Sequence, residues 1–181
     1  MKTKNNIYDI CYIGLFVALT AVLAQISIPL PGGVPLTLQT FIIPLTGLVL
    51  GAKRGTIAAC IYVLLGAVGV PVFAGFSGGF GAIAGPTGGF IISFPLMALA
   101  AGLAAKQGDQ PALIAGLVIG SVLNYAVGTV WFVLVTGSGY AAAIAACVLP
   151  FIPTAILKII LVDLIGVRCK TLLLRSGVLP A

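Results

Sequence analysis

Apolar runs of roughly 20 residues, the length a helix needs to cross the hydrocarbon core of a bilayer, recur through almost the whole of this chain. The first extends from about Tyr8 to Ile28 and stops at Pro29-Leu30-Pro31-Gly32-Gly33. The second, Leu36 to Gly51, stops at Lys53-Arg54, and the third, Gly55 to Val70, runs into a glycine-rich stretch. A fourth covers Gly88 to Lys106, before the polar turn Gln107-Gly108-Asp109-Gln110-Pro111. The fifth occupies Ala112 to Val135 and turns at Thr136-Gly137-Ser138-Gly139. The sixth, Tyr140 to Ile165, is expected to break or bend near Pro150 and Pro153, because proline lacks the N–H that a helix interior requires. Only 7% of the residues are charged and mean hydropathy is +1.27, which leaves too little charge to cover a soluble surface. The expected fold is therefore an all-α membrane protein of six transmembrane helices, with residues 1–181 forming one domain.

The basic residues test that count. Lys2 and Lys4 precede the first helix, Lys53 and Arg54 separate the second from the third, and Lys106 separates the fourth from the fifth. Arg168, Lys170 and Arg175 follow the sixth, so six helices place eight of the nine cations on one side. The positive-inside rule makes that side cytoplasmic, with both termini inside. The basic start MKTKNNIYDI resembles a signal-peptide n-region, but no A-x-A-like site closes the apolar run. A retained first helix is expected.

Several function classes lose support from composition. The net charge of +6 is scattered in ones and twos, without the basic patch that nucleic-acid binding needs. No histidine is present, and Cys11, Cys60, Cys147 and Cys169 are far apart, so they are read as small core hydrophobes rather than metal ligands. Three aspartates without glutamate or histidine offer little general acid–base chemistry. GxxxxGK[ST] is absent, so any active transport would draw on an ATPase elsewhere. No cofactor and no enzymatic activity are expected.

The ninth cation, Lys158, lies inside the sixth helix, about 12 Å from Pro150 at 1.5 Å per residue. A lysine near the bilayer centre costs on the order of 2.5–3.5 kcal/mol and should face a protein interior or a wet cavity. Snorkelling to the interface or pairing with Asp163 would be structural alternatives, although five positions turn Asp163 to another face. The functional alternative is an ammonium at the floor of an outward-facing pocket, awaiting a carboxylate on an otherwise apolar molecule. Gln39, Asn124 and Tyr125, with Trp131 nearby, are either helix–helix hydrogen bonders and interfacial aromatics or the few polar groups that orient such a ligand. The uncharged stretch Gly69 to Phe90 holds eight glycines and two prolines and falls on the side opposite the cations. Irregular backbone at membrane depth must be buried in protein or line a cavity. Phe73, Phe76 and Phe80 within it are candidate pocket walls or lipid-interface residues. Gly14-x-x-x-Ala18 offers small residues one turn apart, a pattern whose default use is packing within the molecule.

The order PGGVPLTLQTF (Pro31 to Phe41), GVPVFAGFSGG (Gly69 to Gly79), GPTGGF (Gly85 to Phe90) and PFIPxxxxK (Pro150 to Lys158) resembles the BioY family over nearly the whole chain. That family is the biotin-binding S component of energy-coupling factor (ECF) transporters. The resemblance implies high-affinity biotin capture in the cytoplasmic membrane of a bacterium or archaeon. Its partners would be biotin, membrane lipid, a transmembrane coupling subunit and two cytoplasmic ATPases. It also implies substrate contacts from Lys158, Gln39, Asn124 and Tyr125, and from Phe73, Ser77, Thr87 and Gly88 in the glycine-rich segment. Pro31, Gly32 and Gly33 would belong to a lid, and Gly14 and Ala18 to the face that docks the coupling subunit. One departure stands out: the family usually carries an aspartate three residues before the lysine, where this chain has Ala155. An S component for another vitamin and a passive channel or scaffold are the alternatives, though a pore would show repeated polar rings.

Overall fold

The computed structural model describes residues 2–175, and the side chains from residue 7 onward except that of Leu174. Helix α1, Lys2–Ala24, ends four residues before the expected boundary at Ile28. Beyond it Ser27–Ile28 (β1) pairs antiparallel with Leu36–Thr37 (β2), Ser27 facing Thr37 and Ile28 facing Leu36. Prolines at 29, 31 and 35 explain the correction, because each pushes the residue before it toward extended backbone. The paired strands also satisfy backbone groups that would otherwise be stranded within an apolar environment.

Helix α2, Gln39–Ala67, is two helices joined at Gly51. A straight helix would separate Gln39 from Tyr62 by about 35 Å, yet Gln39 Nε2 donates to Tyr62 Oη at 2.7 Å. The arms 39–50 and 52–67 are therefore antiparallel and correspond to the second and third expected spans. Gly51 makes the turn with φ +80° and ψ 169°, a region that side-chain-bearing residues avoid.

A single 3-10 turn (Ala74–Phe76) and two short helices, α3 (Phe80–Ala84) and α4 (Gly88–Ile92), occupy the glycine-rich segment. Helix α5, Phe94–Gln107, follows a break at Ser93, so the expected fourth helix is in two pieces. Pro95 in its first turn lacks an N–H, and its ring crowds the carbonyl of Ile91. Helix α6, Gln110–Thr136, starts with Pro111 in its first turn, where the missing N–H is harmless. Helices α7 (Tyr140–Cys147) and α8 (Ile152–Arg175) are separated by a 3-10 turn at Leu149–Phe151, at the expected proline break. Among the described residues five helical stretches are long and apolar enough to span a membrane, and the fold-back at Gly51 turns one of them, α2, into two shorter antiparallel arms, giving six in all.

The interior is built from small and medium side chains. Ala58, Ala59, Ala98 and Ala101 let the arms of α2 and α5 approach closely, while Tyr62, Phe94, Met97, Leu117 and Val162 fill the remaining space. A second cluster, Val34, Phe90, Phe132, Ala143, Cys147 and Phe151, lies between the β-hairpin, α4, α6 and the α7–α8 junction. The outer surface carries exposed Leu15, Val22, Leu134, Leu164 and Leu172, as a bilayer-facing surface requires. Cys147 is buried as expected, but Cys11 is exposed on α1 and is no core residue.

Candidate ligand-binding cavity

A cavity of about 180 Å³ opens where the hairpin, the start of α2, the glycine-rich segment, α6 and α8 meet. Lys158, Gln39, Asn124, Tyr125, Phe73, Ser77 and Thr87 all line it. Residues far apart in the chain thus converge on one space.

Lys158 lies six residues into α8, about 9 Å along the axis. Its Nζ donates to the Thr37 carbonyl at 2.7 Å and to Thr40 Oγ1 at 2.8 Å. Neither the interface nor Asp163 holds it. Asp163 instead accepts a hydrogen bond from Gln110 Nε2. Both partners of Lys158 are neutral, and no acidic side chain is among the lining residues. The ammonium therefore brings an uncompensated positive charge to the wall of a largely apolar space.

Gln39 lies on that wall, but both ends of its amide are engaged. Its Oε1 accepts from Thr37 Oγ1 at 2.9 Å, and its Nε2 donates to Tyr62 Oη, which in turn donates to the Val72 carbonyl at 2.9 Å. This buried chain ties β2 to the far end of α2 and to the entry of the glycine-rich segment. Asn124 differs. Its Nδ2 donates to the Phe90 carbonyl at 2.9 Å and to Ser93 Oγ at 2.7 Å. Its Oδ1 is buried and accepts nothing among the described residues. Buried polar atoms are nearly always satisfied, so the unmet acceptor of a residue that lines the cavity is a candidate partner for a donor.

Phe73 is fully buried and meets Tyr62 edge-to-face, with ring centroids 5.6 Å apart and planes at 78°. Its ring occupies the space that a Cβ on Gly66 would enter, coming within 2.0 Å. Phe76 and Phe80 do not share this role: they are 72% and 76% exposed and face outward. Phe76 has φ +55°, and its N–H donates to Gln25 Oε1 at 2.7 Å, fastening the segment to the end of α1. Gly88 also lies outside the lining; it is pressed beneath Ile83 and Trp131, where a Cβ would come within 1.7 Å of the Ile83 carbonyl oxygen. Trp131 likewise stands behind the wall and donates through Nε1 to the Gly85 carbonyl at 3.0 Å. The hairpin arm Val34, Pro35 and Thr37 reaches the cavity, whereas Gly32 sits at the tip against Ala146 of α7 and Pro31 and Gly33 lie outside the cavity lining. Gly14 and Ala18 are exposed on α1, far from the cavity lining.

Thr37, Thr40, Tyr62, Phe90, Phe94 and Phe151 were not singled out by sequence reasoning. Thr37 and Thr40 lie inside PGGVPLTLQTF, so the motif contained the signal. Their link to Lys158 spans 121 and 118 residues, which no local pattern reveals.

The BioY family model matches residues 1–175. The chain is 46% identical to the "Probable biotin transporter BioY" of Pyrococcus horikoshii, covering 87% of this chain and 91% of that one. It is 44% identical to the "Biotin transporter BioY" of Thermotoga maritima, covering 88% and 94%. Among solved structures it is similar to the S-component for biotin from an ECF-type ABC transporter, with a TM-score of 0.85, 27% identity and coverage of 94% and 95%. With its six spans, irregular segment and cavity lysine, this multi-pass membrane protein belongs to the BioY family.

Proposed function

We infer that the chain captures biotin and serves as the substrate-specific subunit of an ECF-type ABC transporter. The observation that carries this reading is the pairing of two unmet needs in one apolar cavity. Lys158 lacks a counter-charge, and Asn124 Oδ1 lacks a donor. Biotin supplies both: a carboxylate for the ammonium and a ureido N–H for the amide oxygen. Its ring and aliphatic tail suit the walls made by Phe73, Phe90, Phe94 and Phe151. Tyr125, Ser77 and Thr87 also line the cavity, and Gln39 acts by fixing Thr37 rather than by touching the ligand. The β-hairpin with Pro31, Gly32 and Gly33 at its tip is the lid over this site.

Transport needs an energy source, and the chain carries no phosphate-binding loop. A transmembrane coupling subunit and two cytoplasmic ATPases supply it in this reading. The coupling subunit docks on the exposed small-residue face of α1 at Gly14 and Ala18. Support comes from the open space at Gly14, where an added Cβ would meet no atom within 4 Å. Both termini are cytoplasmic, by the distribution of the basic residues.

Binding of labelled biotin to purified protein tests the assignment. Lys158→Ala should weaken biotin binding by about 10- to 150-fold, since a hydrogen bond to a charged group contributes roughly 1.5–3 kcal/mol. Biotin carboxamide, without the charge, should lose much less. Equal losses for the two ligands would refute the ion pair, and equal competition by unrelated vitamins would refute biotin.

A further inference from the structure

A second concavity lies at the opposite end of the bundle from the hairpin. This open groove of about 760 Å³ is formed by α1, the Gly51 turn of α2 and the last turn of α5. Its rim holds Lys53, Arg54 and Lys106. Arg54 Nη2 pairs with Asp9 Oδ1 at 2.9 Å, which is the only acid on the lining. Three cations against one acid leave a net charge of +2. Lys53 and Lys106 are exposed and form no ion pair among the described residues.

Polarity changes with depth in a consistent way. Ile57 follows Lys53 by one turn, and Leu103 precedes Lys106 by one turn, so the apolar side chains lie about 6 and 4.5 Å deeper along their helices than the cations. Ile10 and Ile13 complete an apolar wall on α1, and Ile10, Ile57 and Leu103 are exposed. We propose that this groove binds an anionic phospholipid, with its phosphate between Lys53 and Lys106 and an acyl chain along Ile57, Leu103 and Ile10. A free anion or an acidic peptide would use only the charged rim, whereas a phospholipid of the surrounding bilayer meets the apolar wall with its acyl chain and the rim with its phosphate. The proposal is independent of the ligand in the hairpin-end cavity, because the two share no lining residue.

Protein reconstituted in nanodiscs of phosphatidylcholine with or without phosphatidylglycerol, then gently delipidated, tests this by native mass spectrometry. The wild type should retain phosphatidylglycerol in preference to phosphatidylcholine. K53Q/K106Q should lower its retention by about 30-fold, at roughly a factor of five for each cation near an anionic headgroup. K53R/K106R keeps both charges and should retain the lipid. Biotin binding should be unchanged in both double variants. The proposal fails if K53Q/K106Q retains phosphatidylglycerol like the wild type, or if the two lipids are held equally. Displacement of the lipid by millimolar inorganic phosphate would also overturn it, in favour of a free-anion site. So would displacement by a soluble oligoglutamate, in favour of a protein partner.

Discussion

Two polar side chains on the cavity wall, Asn124 and Gln39, look alike in sequence and separate sharply in their hydrogen bonding. Gln39 is satisfied at both ends of its amide, whereas Asn124 has satisfied donors and an idle acceptor. Their substitutions should therefore be read by different instruments. Asn124→Ala removes the unpartnered acceptor that the proposed binding mode gives to the ligand and should weaken biotin binding by about 5- to 150-fold, for a loss of roughly 1–3 kcal/mol. Gln39→Leu breaks the chain from Thr37 to Tyr62, and its larger effect should be a lower melting temperature in detergent. A Gln39→Leu protein that melts like the wild type but binds biotin far more weakly would show Gln39 to be a ligand contact.

At the scale of elements, the packing of Phe73 against the second arm of α2 decides the shape of the cavity. The ring fills the gap left by the missing side chain of Gly66, and Tyr62 meets it from the side. Gly66→Val should drive Phe73 toward the cavity and reduce biotin binding, while Phe73→Leu in the same chain should restore part of it. Strict additivity of the two losses would count against contact between them. The elements also show where sequence legibility ends. Proline and glycine positions announced the break before α8, the turn after α6 and the irregularity of 69–90. They did not announce that residues 27–37 form a hairpin rather than the ends of two helices, since apolar periodicity alone does not distinguish a short buried strand from a helix end. The break at Ser93 was readable in principle from Pro95, but it lies within a run whose hydropathy is uninterrupted.

For the whole molecule, charge placement carried most of the information. One cation inside the apolar sequence pointed to Lys158, and seven of the eight expected contact residues line the same cavity. Its partners were hidden because Thr37 and Thr40 belong to another part of the chain. The same scale governs coupling to transport. Gly14→Trp adds bulk to a face of α1 that meets nothing within this chain. It should leave biotin binding by the isolated protein unchanged and abolish uptake into cells that contain the coupling subunit and ATPases. Uptake at the wild-type rate would remove α1 from the docking face.

The two hydrogen bonds of Lys158 have a consequence for rates. An ammonium has three N–H donors, and Thr37 and Thr40 take two of them. One donor remains, already aimed by the other two. In the proposed binding mode an arriving carboxylate would complete the set without displacing a partner, and the freezing of a long, flexible side chain would have taken place before the ligand appears. Search for the correct lysine rotamer is thereby removed from the association step. With the hairpin as the proposed lid, passage beneath it, where that lysine is itself fastened through Thr37, would be left as the step that sets how fast the site fills and empties.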